Sequence, residues 1–350
     1  MNQKALLDVV AQGGTDFALR RWQGWRVLAV DSSLIGLPQE EEIGQEFGWV
    51  ECANQSGPCG RYAQGRISVL TDVLNQLALE GLLAPWAVGE RQLALAHLEK
   101  LDAHDLSLFD RGYASYELWA RFISRGRHFV GRCPERGFGA AHRLFQEGLA
   151  GVSVTVELRP PRKILGTIRA LGLPEKISVR FVSVGLPNGQ LEVLATSLLD
   201  PKVYATDAFG PLYQKRWGVE TYYHRLKSRL DLENFTGRSV EAVRQDFHAA
   251  IFLSNLETVL TRPAQEELAP RRLESQHPKQ VNHALCFHAI KSRMIELLIS
   301  QEPIHQVVGK LRQLFLDNLV SVRPARKPPR EKMSAWRSYR YQRQLKKAVF

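Results

Sequence analysis

The chain is poor in cysteine, and no long apolar run or leader-like start stands out. Its four cysteines, Cys52, Cys59, Cys133 and Cys286, form no C-x-x-C pair. Cys52 and Cys59 have six residues between them and no nearby partners, which is too loose for a zinc knuckle and points to reduced, structural thiols. No stretch approaches the roughly 18 apolar residues of a membrane span. The first residues, MNQKALLDVV, lack the basic start, apolar middle and small-residue cleavage site of a secretory leader, so the expected location is the cytoplasm. There is no internal repeat. Apolar residues at 44% and charged residues at 24% over 350 positions describe an ordinary globular protein with a sizeable core.

Charge is present but uneven. Residues 322–350 hold ten Lys or Arg against one acidic residue, Glu331, and so carry +9 of the net +11. Trp336, Tyr339 and Tyr341 are interleaved among them. Basic chain with stacking aromatics suits a phosphate backbone, whose condensed counterions are released on binding.

The most informative stretch is Pro211 to Phe235, PLYQKRWGVETYYHRLKSRLDLENF, whose spacing predicts one helix. At about 100° per residue, Leu212, Val219, Tyr223, Leu226 and Leu230 form an apolar stripe. Tyr213, Arg216, Glu220 and Lys227 form a second stripe within roughly 60°, at the rim of the first. Taken alone, that row is also what a solvated face with an i,i+4 ion pair looks like.

Elsewhere the pattern predicts a mixed sheet flanked by helices. The opening residues read as a short helix, a Gly13-Gly14 break and a second helix over 15–22. A strand follows over Arg26–Val30, ending at Asp31. Residues 36–65 read as a long loop, and RISVLTDVL and LLAPWAVGE as two strands. Then come a helix from Glu90, a strand LSLF ending at Asp110, a helix over 115–124 and a strand HFVGRC. Strands that end in acidic residues place carboxylates at the sheet edge where sites form in open α/β sheets. From Pro134 to Leu194 the texture is β-rich, with Pro187-Asn188-Gly189 as a hairpin turn. Helices are predicted over 240–260, 284–299 and 304–319, with a polar linker over 262–281.

Asp31, Asp110 and Glu220 are three carboxylates with no Cys or His beside them, a set that suits Mg2+, with Mn2+ able to replace it. Two such ions can activate a water or a 3′-hydroxyl and stabilise the leaving oxygen of a phosphodiester. Asp31, on the central strand, is the expected shared ligand. Singly, Asp31 also reads as a turn or N-cap residue and Asp110 as a helix-entry turn.

These residues resemble a known group. Tyr213, Arg216, Glu220 and Lys227 in the spacing Y-x2-R-x3-E-x6-K, together with RVLAVD followed by Leu37-Pro38, and LFDRGY, are similar to the motifs of DDE transposases of the insertion sequence 4 family. The resemblance covers roughly residues 20–260. It implies an RNase H-like core interrupted by a β-rich insertion, with Asp31, Asp110 and Glu220 as catalytic metal ligands. It further implies that Tyr213, Arg216 and Lys227 grip terminal DNA phosphates. The activity implied is Mg2+-dependent cutting at transposon ends and strand transfer into target DNA. The partners implied are double-stranded DNA and a second copy of the chain, in a bacterial, nucleoid-associated setting. The expected segments are 1–24, a helical start that reads as a truncated DNA-binding domain; 25–133, the first part of the core; 134–194, the insertion; 195–260, the second part of the core; 261–321, C-terminal helices; and 322–350, the basic tail. A structure-selective nuclease of the same fold and a decayed, non-catalytic DNA-binding copy are the alternatives.

Overall fold

The computed structural model describes residues 6–8, 10, 18–54, 57–273, 278–299 and 302–322. The basic tail therefore lies outside the described residues. The chain divides into two compact units: a sheet unit of residues 20–34 and 66–223, and a helical unit of residues 1–19, 35–65 and 224–350.

In the sheet unit, β1 (Arg26–Gly36) is flanked on one side by β3 (Gly57–Asp72) and then β4 (Leu77–Pro85). On its other side lie β5 (Asp105–Phe109) and β6 (His128–Arg132). β1, β5 and β6 run parallel. The order β4-β3-β1-β5-β6 is that of the RNase H-like fold. Val27 to Val30 and the whole of β5 are buried, as strands covered on both faces must be. The crossovers α2 (Glu90–His97) and α3 (Tyr116–Ser124) lead into β5 and β6. The Ser115 hydroxyl accepts the Leu118 N–H and so caps α3 where expected.

Residues 134–194 add two helices, α4 (Gly139–Glu147) and α5 (Arg162–Ala170), to the expected strands. β7 (Ser153–Leu158), β8 (Ile177–Gly185) and β9 (Leu191–Thr196) are antiparallel and extend the same sheet in the order β6-β9-β8-β7. The predicted hairpin turn joins β8 to β9, with Gly189 at φ 79°. Trp119 anchors the core, stacked on Phe129 and Phe138 at centroid distances of 5.5 and 4.4 Å.

Several local expectations are corrected. β1 does not stop at Val30 but runs on through Asp31 to Gly36. The predicted helix over 15–22 gives way to irregular chain over 18–21, and Trp22 is bridged to Trp25 across a turn. The single helix predicted over 211–235 is two, α6 (Phe209–Gln214) and α7 (Trp217–Ser228). Between them Lys215, Arg216, Gly218 and Val219 each donate to the carbonyl three residues back, the tighter 3₁₀ pattern that ends one α-helix and starts another.

In the helical unit, the loop predicted over 36–65 is structured. It holds α1 (Glu41–Phe47) and β2 (Trp49–Asn54), which pairs antiparallel with the first half of β3. Gly44 lies against the Trp49 ring, where a Cβ would come within 1.9 Å of Cε2. The predicted linker over 262–281 is mostly helix, because α8 (Val240–Leu273) continues through Pro263 and Pro270. Ala264 and Leu268, four residues apart, are buried there, and Arg262 pairs with Glu266 at 2.9 Å, so packing outweighs the breakers. A short β10–β11 pair (Lys279–Val281 with Leu319–Ser321) and α9 (His283–Ser292), α10 (Met294–Ile299) and α11 (Ile304–Asp317) complete the unit. α9 and α10 replace the one helix expected over 284–299. Among the described residues no helix is long and apolar enough to cross a membrane.

Candidate active site

Parallel pairing of β1 with β5 sets the site. Arg26 partners Asp105, and the ladder runs in register to Ala29 opposite Leu108. Two residues further on, Asp31 and Asp110 occupy matching places on strands about 4.8 Å apart, and the period of two puts both on the same face. Each is aimed by its own main chain. The Asp31 carboxylate accepts the Ser32 N–H at 2.8 Å, and Asp110 accepts from Gly112 at the start of a 3₁₀ turn. The helix-entry role of Asp110 is thus real and leaves its position beside Asp31 unchanged.

Glu220 arrives on the first turn of α7. Three residues later the Tyr223 hydroxyl donates to the Asp31 carbonyl at 2.7 Å, which seats this turn against β1. Burial raises the Asp31 pKa to about 6; the Ser32 N–H and the Arg216 guanidinium oppose the rise, while the charges of Asp110 and Glu220 add to it. Three acidic groups therefore act on one half-buried place, with the Arg216 guanidinium among them.

That guanidinium is committed. Arg216 Nη2 donates to Glu220 Oε1 at 2.8 Å, and its Nε is buried without a hydrogen-bond partner among the described residues. The same group lies 5.1 Å from the ring centre of Trp217, which is exposed. Tyr213 is buried, with its hydroxyl donating to the Phe109 carbonyl at 3.2 Å, immediately before Asp110. Burial pushes its phenol pKa up. Lys227 belongs to the helical unit, where it pairs with Glu233 at 3.6 Å. Burial lowers its ammonium pKa, and Glu233 works against that.

The structure thus brings Asp31, Asp110, Glu220, Arg216 and Tyr213 into one neighbourhood. Among the described residues, no three His, Cys, Asp or Glu side chains form a ready metal cage, and Glu220 is bonded to Arg216. The donor set still fits a hard cation: it is all carboxylate oxygen, and its excess negative charge is already felt at Asp31. Sequence reasoning missed Tyr223, which it placed in the apolar stripe, and Tyr113 in LFDRGY. Tyr113 is buried, and the charges of Asp31, Glu90 and Asp110 add to the effect of burial in raising its phenol pKa.

The chain is 23% identical over 237 residues to the transposase InsG for insertion sequence element IS4 of Escherichia coli (strain K12). The match covers 67% of this chain and 52% of that protein, so the chain spans about half the length of the curated relative it matches. A solved piggyBac transposase synaptic complex with hairpin DNA aligns with a TM-score of 0.44 at 10% identity, over 83% of this chain and 57% of that one. Residues 22–256 match the family model for the transposase DDE domain, and the chain belongs to that family.

Proposed function

We propose that this chain is the catalytic core of an insertion-sequence transposase that cuts phosphodiester bonds at transposon ends and joins them to target DNA. The observation that supports the reading is the parallel β1–β5 ladder, which ends two residues before Asp31 and Asp110, with Tyr223 of α7, three residues after Glu220, bonded to the Asp31 carbonyl. Asp31, Asp110 and Glu220 would hold two Mg2+, or Mn2+ in their place. When bound, such ions activate the attacking water or hydroxyl and stabilise the leaving oxygen.

The remaining roles follow from side-chain chemistry. Arg216 offers a planar fork that suits a phosphate as well as it suits Glu220. Lys227 supplies a point charge for a terminal phosphate, and Tyr213 braces α6 on the strand end before Asp110. The exposed Trp217 face beside Arg216 adds a surface on which a base can stack. Two transposon ends must be brought together, so the acting form is a homodimer on DNA. The basic residues 322–350 add sequence-independent affinity for DNA, which implies association with the bacterial nucleoid.

A labelled duplex carrying the inverted repeats that flank the coding sequence tests this. Nicks at the repeat ends with Mg2+, and none with EDTA, are expected. Products joined to a second duplex separate a transposase from a nuclease that only cuts. A folded chain that binds the duplex yet never nicks it with Mg2+ or Mn2+ would overturn the reading in favour of a non-catalytic DNA-binding copy.

A further inference from the structure

A line of polar side chains runs to the main chain of Asp31 from within the sheet unit. Ser68 on β3 donates from Oγ to the Asp31 carbonyl at 3.3 Å. His97 Nε2, at the end of α2, lies 3.0 Å from the same Oγ. Its Nδ1 lies 2.7 Å from Glu80 Oε2 on β4. Lys100 Nζ stands 3.9 Å from the other Glu80 oxygen. Ser68 and His97 have 0% and 1% of their surface exposed.

Serine, histidine and glutamate in a row are the parts of a nucleophile, its base and an orienting group. That use is excluded here, because the serine has no surface for a substrate and its hydroxyl meets a backbone oxygen. What the line does have is an end point. The β1–β5 ladder reaches Ala29 opposite Leu108, two residues before Asp31 and Asp110. Beyond that point the Asp31 carbonyl meets two side-chain hydroxyls, Ser68 and Tyr223.

We propose that Glu80, His97 and Ser68 are positioning residues that hold the Asp31 main chain and thereby aim its carboxylate. Glu80 fixes the ring through Nδ1, and the ring in turn fixes the Ser68 hydroxyl. Such supporting partners commonly change metal affinity by 10–100-fold when removed. The inference rests on the reading of Asp31 as an ion ligand, and the test separates the two.

The test is Mn2+ binding to the full chain, followed by electron paramagnetic resonance, with urea denaturation of the ion-free protein as the measure of folding. Asp31→Asn should abolish binding; wild-type affinity in that variant would sink the ion reading itself. Given loss in Asp31→Asn, Ser68→Ala and His97→Leu are expected to weaken Mn2+ binding about tenfold while still unfolding cooperatively. His97→Gln, whose side-chain amide can still reach Ser68, should recover most of the affinity. Wild-type Mn2+ affinity in Ser68→Ala, or no recovery in His97→Gln, would overturn the positioning role. Should His97→Leu fail to fold, Glu80→Gln replaces it, with the same loss expected and wild-type affinity counting against the proposal.

Discussion

Glu220→Gln is expected to abolish Mg2+-dependent nicking of a transposon-end duplex while the protein still folds and binds DNA. The amide keeps the size of the side chain, and its oxygen can still accept the Arg216 bond now made at 2.8 Å. What goes is the charge. Removing one ligand of a cation that stabilises transition-state charge forfeits several kcal/mol, on the order of a thousandfold in rate at about 1.4 kcal/mol per decade. Folding should change little, since i,i+4 ion pairs contribute only about 0.3–0.5 kcal/mol and the Glu220 side chain is 39% exposed. Gel assays of nicking and a urea melt on the same preparation decide it. Undiminished cutting would remove Glu220 from the site.

The second large effect is on stability and arises at the far end of the same two strands. Arg26 donates from Nε and Nη2 to the two oxygens of Asp105 at 2.7 and 2.8 Å, and Asp105 is 1% exposed. Arg26 and Asp105 are also the first register partners of the β1–β5 ladder. Arg26→Met should destabilise the chain by about 3–5 kcal/mol, because it strands a buried carboxylate. The double variant Arg26→Met with Asp105→Leu should recover most of that loss, since a buried ion pair exchanged for apolar groups is often close to neutral. Urea midpoints for the single and double variants test both statements. A double variant no more stable than the single would show that the charge left behind is not the cause.

Much of this was legible in the sequence, and the exceptions share a physical cause. The run Val27 to Val30, the short LSLF strand, the helix over 115–124 and the Asn188-Gly189 turn are local signals, and local propensity decided them. The two aspartates were legible from the apolar runs that precede them, although Asp31 lies within β1 and not at its end. The break at Lys215-Arg216 has no local marker. Gly218, two residues on, has room for a Cβ only at 3.3 Å from Val73, so a tertiary approach governs that corner. α1 and β2 were hidden because the Gly44–Trp49 fit and the pairing with β3 become visible only in three dimensions. The stretch 262–281 read as a polar linker, and burial of Ala264 and Leu268 made most of it helix. Ser68, His97 and Glu80 carry no motif at all, because residues that support a site are chosen by a neighbour far away in sequence.

The way β9 lies along β6 bears on anyone hoping to trim this protein to a smaller tool. Residues 134–194 look expendable on paper, a detour between two halves of an enzyme. Cutting them out would remove Leu194, the antiparallel neighbour of Arg132, together with β8 and most of β9, so that Ala195 and Thr196 lose the strand that holds them opposite Gly131 and Val130. A bare row of amide and carbonyl groups would then invite other molecules to stack on it. A shortened version would need a replacement strand, or charged residues guarding that border, before it could stay in solution.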